Sequence, residues 1–245
     1  AVISGGASGI GRGIAEGLAE AGADIVIASR RKSVCEDACS KIAAAANVRT
    51  LALECDVTRS GDAESLMADT ISELGRLDIL VNNSGVGGSE KPILEMDEDD
   101  WKRVLDTSLK GVFLLSRKSA EHMIARGEGG KIINVVSIGA MIGWPNMSAY
   151  CASKGGCLQL TKVMALEWAR YDIQVNAILP GYFETPMNRE FFSSPAGQQV
   201  IKSSIPMRRI AQNTEVKGVA VLLASAPCSF RTGPAIVSVG GHTLR

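Results

Sequence analysis

The feature that most constrains how this chain can fold is the repeated alternation of short β-branched runs with longer amphipathic runs. The short runs predict strands at Ala1–Ser4, Asp24–Ala28, Arg49–Glu54, Ile79–Asn82, Lys131–Val136, Gln174–Ile178 and Ile236–Val239. The longer runs predict helices at Ile10–Ala21, Ser33–Ala46, Ala63–Leu74, Asp99–Arg126, Ala149–Arg170 and Thr214–Ser225. Most strand runs are almost continuously apolar, which is typical of strands covered on both faces. The alternation predicts right-handed βαβ units and a doubly wound parallel sheet, within a single α/β domain over residues 1–245.

One long segment, from Gly181 to Asn213, lacks this periodicity and contains Pro186, Pro195 and Pro206. An irregular segment of that length in a compact domain is usually functional. Because ligands of open α/β sheets bind beyond the carboxyl ends of the strands, residues that follow strand ends are the first candidates for a site. We therefore predict a substrate loop over residues 181–213 that closes over that edge of the sheet.

The composition argues against several functional classes. Lys and Arg number 26, and Asp and Glu also number 26, so the net charge gives no reason to expect nucleic acid or an anionic membrane as a partner. No apolar run approaches the ~18 residues that span a membrane, and no signal peptide precedes the first predicted strand. The six cysteines form no CxxC pair and the two histidines are far from them in sequence, so we expect no metal site. Free thiols suit a reducing compartment, which predicts a cytoplasmic protein.

The first predicted strand ends in a glycine-rich turn, SGGASGIG over residues 4–11, that leads directly into the first helix. Glycines permit a tight turn and a close approach of backbone N–H groups to a pyrophosphate, and the helix N-terminus favours its negative charge. The turn predicts a Rossmann-type dinucleotide site with Gly5, Ser8, Gly9, Ile10 and Gly11 as binding residues. The spacing differs from GxGxxG, and such a turn can also be no more than a tight strand–helix connection.

The second predicted strand is followed by Ser29 and Arg30 and not by an acidic residue. An acid at this place would bind a ribose 2′-hydroxyl and select NAD, whereas a hydroxyl and a planar guanidinium suit a 2′-phosphate. We therefore predict NADP as the cofactor, with NAD as the alternative. The same residues also fit the solvated basic start of a helix.

Further motifs follow the later strand ends in order. They are Asp56 and Val57 after strand three, Asn83 and Gly85 in NNSG after strand four, Ser137 after strand five, Tyr150 and Lys154 in YxxxK, and Pro180, Gly181 and Thr185 after strand six. Together with the glycine turn, this set resembles the short-chain dehydrogenase/reductase family over essentially the whole chain. The resemblance implies an NAD(P)-dependent oxidoreductase that acts on CH–OH groups. It also implies that Asp56 contacts the adenine and that the segment from Pro180 to Thr185 holds the nicotinamide carboxamide.

The spacing of Tyr150 and Lys154 supports an acid–base role independently of the family. Four residues apart, they lie one turn apart on the same helical face. A phenol is a poor base at neutral pH, but a nearby ammonium favours the phenolate. Tyr150 can then exchange a proton with a substrate oxygen that Ser137 also hydrogen-bonds, and the resemblance implies that Lys154 binds the nicotinamide ribose as well. An amphipathic helix with a snorkelling lysine is the alternative for this pair.

Ser108 departs from the family pattern, which has an Asn at this place in the helix after strand four. The resemblance implies that the backbone carbonyl of that Asn helps to hold a water in a proton relay to the lysine. Ser108 lies on the apolar stripe of that helix and is expected to face the sheet. We count it with the catalytic residues, where it either supports the relay or only fills space and bonds its own helix turn. A protein that binds the cofactor without useful catalysis is therefore the alternative function.

The substrate end is less specific than the cofactor end. Residues available to line an apolar pocket are Met141, Trp144, Asn146, Met147, Tyr182, Met187, Phe191 and Phe192. The segment PGYFETPM at 180–187 is similar to both 3-oxoacyl-thioester reductases and gluconate-type dehydrogenases, and the sequence does not choose between them. The loop cations, which either meet an acidic substrate or are solvated, are Arg189, Lys202, Arg208 and Arg209.

The two long predicted helices, Asp99–Arg126 and Ala149–Arg170, resemble the pair through which family members form dimers. The resemblance implies a homo-dimer or homo-tetramer. The side chains expected to point outward into that interface are Leu114, Met123, Leu160 and Met164.

Overall fold

The computed structural model of the protein describes residues 1–185 and 188–244. The strands are β1 (Val2–Ser4), β2 (Ile25–Ser29), β3 (Thr50–Glu54), β4 (Ile79–Asn82), β5 (Gly130–Val135), β6 (Ile173–Pro180) and β7 (Ala235–Ser238). The helices are α1 (Gly9–Glu20), α2 (Lys32–Ala46), α3 (Ser60–Leu74), α4 (Glu98–Leu105), α5 (Gly111–Arg126), α6 (Ser148–Trp168), α7 (Arg189–Ser193), α8 (Pro195–Ser204) and α9 (Lys217–Ala224).

The seven strands form one sheet in the order β3-β2-β1-β4-β5-β6-β7, and each neighbouring pair is parallel. This confirms the predicted doubly wound fold. Ile3 of β1 pairs with Ile27 of β2 on one side and with Val81 of β4 on the other. The direction of winding reverses between β1 and β4, which opens a crevice at the carboxyl ends of these strands.

Two apolar clusters cover the two faces of the sheet. One packs α3, α5 and α6 against it through residues such as Leu66 and Leu115, and the other packs α1, α2 and α9 through residues such as Ile14 and Leu223. Strands covered on both faces need apolar side chains at successive positions, which explains the unbroken apolar runs in the sequence. The carboxyl edge of the sheet remains the place where side chains of several elements converge.

The helix predicted at Asp99–Arg126 is interrupted. A π-helical turn over Asp106–Lys110 separates α4 from α5, and its widened bond runs from the Gly111 N–H to the Asp106 carbonyl. Such a turn fits one extra residue into the helix, and its residue types do not differ from those of a regular helix. The apolar periodicity of the sequence therefore does not reveal it. Ser108 lies in the middle of this turn.

The segment predicted as an irregular loop contains two helices, α7 and α8. Pro195, predicted to lie in the loop, occupies the first position of α8, where proline is well tolerated. The Ser194 hydroxyl accepts a hydrogen bond from the Gly197 N–H at 3.2 Å and caps this helix. Phe192, Ile201 and Ile205 form a small core beneath the two helices. Pro186 and Met187 lie outside the described residues.

The predicted outward positions on the two long helices were wrong. Leu114, Met123 and Met164 are 6%, 0% and 3% exposed and belong to the core between these helices and the sheet, while Leu160 packs against that core. Among the described residues, the large apolar side chains of α5 and α6 that do face outward are Phe113, Val163 and Leu166, at 42%, 40% and 82% exposure. Met123 lies about three turns after the buried Val112 and therefore on the same face of α5, so regular helical periodicity already places it inward.

Candidate active site

The glycine turn after β1 is hydrogen-bonded by Asn83, which directly follows β4, the neighbour of β1 in the sheet. Asn83 Nδ2 donates hydrogen bonds to the carbonyls of Ser4 and Gly5, at 3.2 and 3.0 Å. A Cβ on Gly11 would lie 2.3 Å from Asn83 Nδ2 and 2.6 Å from the Gly5 carbonyl oxygen. Gly5 and Gly9 have φ values of +64° and +55°, which favour glycine. The turn therefore depends on its glycines for both space and backbone conformation.

The first turn of α1 leaves its N–H groups available. Ser8, at the N-cap, is exposed and makes no side-chain capping bond, and no acidic residue lies in the first turn. Uncapped N–H groups at a helix N-terminus beside a cradle without side chains fit a pyrophosphate. Ile10 lies half-buried at the same helix start.

Ser4 is a residue that the sequence analysis missed. Its hydroxyl accepts hydrogen bonds from the N–H groups of Asn83 and Ser84, both at 3.1 Å, and thereby joins the ends of β1 and β4. The signal in the sequence that could have identified Ser4 is its position as a single polar residue at the end of an otherwise apolar strand. Gly85 follows on the same segment.

At the end of β2, the Ser29 hydroxyl accepts a hydrogen bond from the Arg31 N–H at 3.3 Å and lies 3.0 Å from the Sγ of Cys35. Arg30 is exposed beside it. The positive charge of Arg30 also lowers the pKa of Asp56, which follows β3. The geometry thus brings together the residues predicted for the ribose and adenine end of a dinucleotide, and it adds Cys35, which the sequence analysis did not single out.

Asp56 is held in an ionised, oriented state. Its Oδ1 accepts hydrogen bonds from the N–H and hydroxyl of Thr58, at 3.0 and 2.8 Å. Partial burial pushes the pKa of Asp56 upward, but the Thr58 hydrogen bonds and the charges of Arg30 and Arg59 outweigh it and hold that pKa below its usual range. Val57, in contrast, is 6% exposed and packs against Gly111 at the start of α5.

Ser137, Tyr150 and Lys154 converge beside β5. A Cβ built on Gly139 would lie 3.1 Å from Tyr150 Cε1 and 3.5 Å from Ser137 Oγ, so ring and hydroxyl border the same small space. Ser137 Oγ accepts a hydrogen bond from the Gly139 N–H at 3.0 Å, which orients it. Lys154 is 5% exposed, and its Nζ donates to the Val135 carbonyl at 3.0 Å and lies 5.8 Å from the centre of the Tyr150 ring.

Ser108 is fully buried, as its place on the apolar stripe predicts. Its Oγ accepts a hydrogen bond from the Val86 N–H at 3.2 Å, so it bonds the segment after β4 and not its own helix turn. A Cβ on Gly85 would lie 3.4 Å from both Ser108 Oγ and Lys154 Nζ. Ser108 and the lysine therefore both border Gly85, and a larger residue there would crowd both.

The segment after β6 returns to the glycine turn. Pro180 ends the strand and pairs with Ser238, and the Gly181 N–H bonds the Ser238 carbonyl at 2.9 Å. A Cβ on Gly9 would lie 3.2 Å from Thr185 Cγ2. Thr185 thus lies against the turn that α1 follows, as a role in cofactor binding requires.

Aromatic rings pack beside Tyr150. The Trp144 ring is nearly parallel to that of Tyr150, with centroids 6.3 Å apart, and to that of Tyr182, with centroids 6.1 Å apart. The Tyr182 ring also packs against Phe192 and His242, with ring centroids 5.0 and 5.5 Å apart. Burial raises the pKa of Tyr182. His242 was not predicted, because its place after β7 carries no local signal.

The other predicted pocket residues lie further out. Met141 and Phe191 are 54% and 49% exposed. Asn146 has a positive φ, and its carbonyl accepts a hydrogen bond from the Lys91 N–H at 3.1 Å, while Met147 is half-buried before α6.

Within residues 1–185 and 188–244, no helix is long and apolar enough to cross a membrane. In the same part of the chain, no group of three or more His, Cys, Asp or Glu side chains is arranged to hold a metal ion.

Comparisons with known proteins agree with this arrangement. A sequence model of a family described as enoyl-(acyl carrier protein) reductase matches residues 5–243. The chain is 36% identical to a 2-dehydro-3-deoxy-D-gluconate 5-dehydrogenase of Escherichia coli, covering 100% of this chain and 95% of the relative. It is also 36% identical to an NAD-dependent glycerol dehydrogenase of Listeria innocua, covering 100% and 94%.

Solved structures are similar over the same extent. A gluconate 5-dehydrogenase from Burkholderia cenocepacia in complex with NADP and tartrate has a TM-score of 0.94 at 36% identity, covering 100% of this chain and 94% of that chain. A short-chain type dehydrogenase/reductase from Mycobacterium marinum has a TM-score of 0.94 at 34% identity, covering 100% and 95%.

Proposed function

Because the chain belongs to the short-chain dehydrogenase/reductase family, we propose that it transfers a hydride between NADP(H) and a carbonyl or secondary alcohol by means of Ser137, Tyr150 and Lys154. The observation that supports this mechanism best is the shared space beside Gly139, where the Tyr150 ring and the Ser137 hydroxyl meet. Lys154 lies one helical turn away with its Nζ fixed by the Val135 carbonyl.

The proposed chemistry assigns one task to each side chain. The bound dinucleotide supplies or accepts the hydride. Tyr150 gives a proton to the substrate oxygen during reduction and takes one during oxidation. Ser137 hydrogen-bonds the same oxygen and keeps it within reach of the phenol. Lys154 is held by the Val135 carbonyl beside Tyr150, and its remaining N–H groups would bind the hydroxyls of the nicotinamide ribose.

The cofactor fits the cradle that the chain provides. The glycine turn with Asn83, the uncapped start of α1 and the neighbouring Thr185 would hold the pyrophosphate and nicotinamide ends. Ser29 and Arg30 support a preference for the 2′-phosphate of NADP, because a hydroxyl and an exposed guanidinium lie at the end of β2 and the residues that follow them in sequence, Arg31 and Lys32, are basic. Among the relatives both cofactors are named, NAD for the Listeria protein and NADP for the Burkholderia structure.

The proposed substrate region extends over residues 181–213, with α7 and α8 beside the carboxyl edge of the sheet. We also propose a homo-dimer or homo-tetramer, supported by the outward-facing Phe113 and Leu166 on α5 and α6. Light scattering at micromolar concentration tests this, and a clean monomer contradicts it. The six unpaired cysteines suit the reducing cytoplasm that we propose as the compartment.

The function itself is tested by two measurements on the same sample. Fluorescence titration gives the Kd values for NADPH and NADH, and absorbance at 340 nm follows oxidation of either one against a panel of ketones, 3-oxoacyl thioesters and keto-sugar acids. We expect tighter binding of NADPH and turnover with at least one substrate class. Binding of a cofactor without turnover of any substrate would instead favour the alternative function, a protein that binds the cofactor without useful catalysis because Ser108 replaces the usual Asn.

A further inference from the structure

A surface cavity of about 400 Å³ lies between α7, α8 and the segment that follows α8. Three arginines line it, Arg189, Arg208 and Arg209, against one acidic residue, Glu184. Cations that line a concave surface in this way raise the local concentration of anions. The cavity is therefore a candidate for a site that takes a negatively charged ligand.

Two of the three arginines are paired with carboxylates of the protein. Arg189 Nε donates to Glu184 Oε1 at 2.8 Å, and the other oxygen of Glu184 accepts a hydrogen bond from Gln212 Nε2 at 3.0 Å. The two terminal nitrogens of Arg209 each lie 2.7 Å from an oxygen of the Glu215 carboxylate. The charges of Arg189 and Arg209 are thus largely balanced, and their guanidinium groups are held in place.

The third arginine, Arg208, has no such partner. Within residues 1–185 and 188–244, its side chain makes neither an ion pair nor a hydrogen bond, although the guanidinium lines the cavity. A guanidinium offers five N–H donors in a planar fork that matches the oxygens of a carboxylate or a phosphate. The donors of Arg208 are therefore the ones available to a ligand in this cavity.

The backbone of Arg208 is unusual in the same respect. Among the described residues, the non-glycine residues with a positive φ are Asn47, Asn146, Asp172 and Arg208, whose φ is +53°. Asn and Asp tolerate this region because their short side chains bond the local backbone, whereas Arg does not share that property. The Arg208 N–H donates to the Ile205 carbonyl at 2.8 Å, so a turn fixes the conformation. Glycine would suit this turn without strain, and an outlier of this kind points to a function of the side chain.

We propose that this cavity binds a small oxyanion, a carboxylate or a phosphate, and that Arg208 is the residue that recognises it. Arg189 and Arg209, held by their glutamates, would border the bound anion and add to the favourable field. Binding would join α7, α8 and the segment after α8 through one ligand. The residues that line the cavity include neither Ser137 nor Tyr150, so the site lies outside the reaction site and goes beyond the proposed function.

The test measures oxyanion binding by the wild-type protein and by Arg208→Gly, with NADPH in excess so that the positions of the cofactor's own phosphates are filled. Titration calorimetry with citrate and with inorganic phosphate gives the Kd values, and sodium chloride keeps the ionic strength constant. We expect Arg208→Gly to raise the Kd of the oxyanion by about tenfold or more, because charge-assisted hydrogen bonds are lost. Arg208→Asn, which also tolerates a positive φ, should behave in the same way.

Thermal unfolding separates ligand binding from the effect on the backbone. Glycine adopts a positive φ without strain, so in chloride alone Arg208→Gly should unfold at the temperature of the wild type or higher. Addition of citrate should raise the unfolding temperature of the wild type and leave that of Arg208→Gly unchanged. A lower unfolding temperature of Arg208→Gly in chloride alone would assign Arg208 to the stability of the fold and would overturn the inference.

Two sources share this ligand chemistry, a free oxyanion and the acidic end of a long substrate. They are separated by the ratio of kcat/KM for 9-oxodecanoate to that for its methyl ester, measured in the wild type and in Arg208→Gly. An equal ratio in the two proteins supports a free ligand, whereas a ratio about tenfold lower in Arg208→Gly supports the acidic end of a substrate. This comparison rests on the proposed function, so absence of turnover with both compounds contradicts that function and leaves the binding result standing.

Lys202→Ala is the matched control for the loss of one positive charge. Lys202 is an exposed cation of α8 that does not line the cavity, so its substitution should leave the Kd of the oxyanion within twofold of the wild-type value. The inference is overturned if the wild type binds neither citrate nor phosphate, or if Arg208→Gly binds them as tightly as the wild type does. Equal weakening by Lys202→Ala and Arg208→Gly would show a general effect of charge and would overturn it as well.

Discussion

The two ends of the candidate site are built in different ways. At the cofactor end, backbone groups and short polar side chains from adjacent strands hold one another, as Asn83 and Ser4 do around the glycine turn. At the substrate end, large rings from segments far apart in sequence pack together, as Trp144, Tyr182 and His242 do. The first kind of site tolerates little change in backbone or residue size, whereas the second can change its substrate by exchanging side chains.

The comparison predicts the largest effect where the two ends meet, at Tyr150. Tyr150→Phe keeps the ring against Trp144 and removes only the transferable proton. We expect kcat to fall by about 10²–10⁴-fold, the contribution of a positioned acid–base group, while the Kd for NADPH stays within twofold of the wild type. Steady-state kinetics and fluorescence titration provide the two values. Near-full activity of this variant on a confirmed substrate would refute the proposed mechanism.

The rigidity of the cofactor end is tested by Gly11→Ala. The added Cβ would lie 2.3 Å from Asn83 Nδ2 and 2.6 Å from a backbone oxygen, so the cradle must distort. We expect the Kd for NADPH to rise by roughly 100-fold, as measured by fluorescence titration.

Gly61→Ala is the matched control, since nothing lies within 4 Å of a Cβ at that position in α3. It should bind NADPH normally and unfold at the same or a higher temperature. Normal affinity of Gly11→Ala for NADPH would show that the backbone of the glycine turn can shift to accommodate the added Cβ, contrary to this prediction.

Specificity within the cofactor end is tested by Arg30→Ala. Loss of a charge-assisted contact to the 2′-phosphate should raise the Kd for NADPH by on the order of tenfold, and the Kd for NADH should be unaffected. Because Arg30 also acts on Asp56, the NADH titration serves as the internal control. Equal weakening of both cofactors would assign Arg30 to the adenine side and not to the phosphate.

The smallest effect is expected at Ser108. Ser108→Ala removes the acceptor of the Val86 N–H, so the free energy of unfolding should fall by about 1 kcal/mol. The value of kcat should change less than threefold, since Lys154 is held by Val135 and not by Ser108. Denaturant unfolding and kinetics on one preparation check both statements. A tenfold loss of kcat with unchanged stability would place the serine hydroxyl in proton transfer.

Part of this protein could be derived from its sequence alone. Strands covered on both faces require continuous apolar runs, and tight strand–helix turns require glycine, so the sheet, its seven strands and the cofactor turn follow from local composition and spacing. Tyr150 and Lys154 share a helical face by spacing alone. These features depend on residues within a few positions of one another.

Tertiary structure decided the rest. The π-helical turn around Ser108 adds one residue to the helix without a signal in the residue types. The pairing of Arg189 and Arg209 with carboxylates, the contact of Cys35 with Ser29 and the stack of Trp144 on Tyr182 join side chains through space. Rotamer and distance are set by packing against the whole core, so neither residue type nor spacing along the chain determines them.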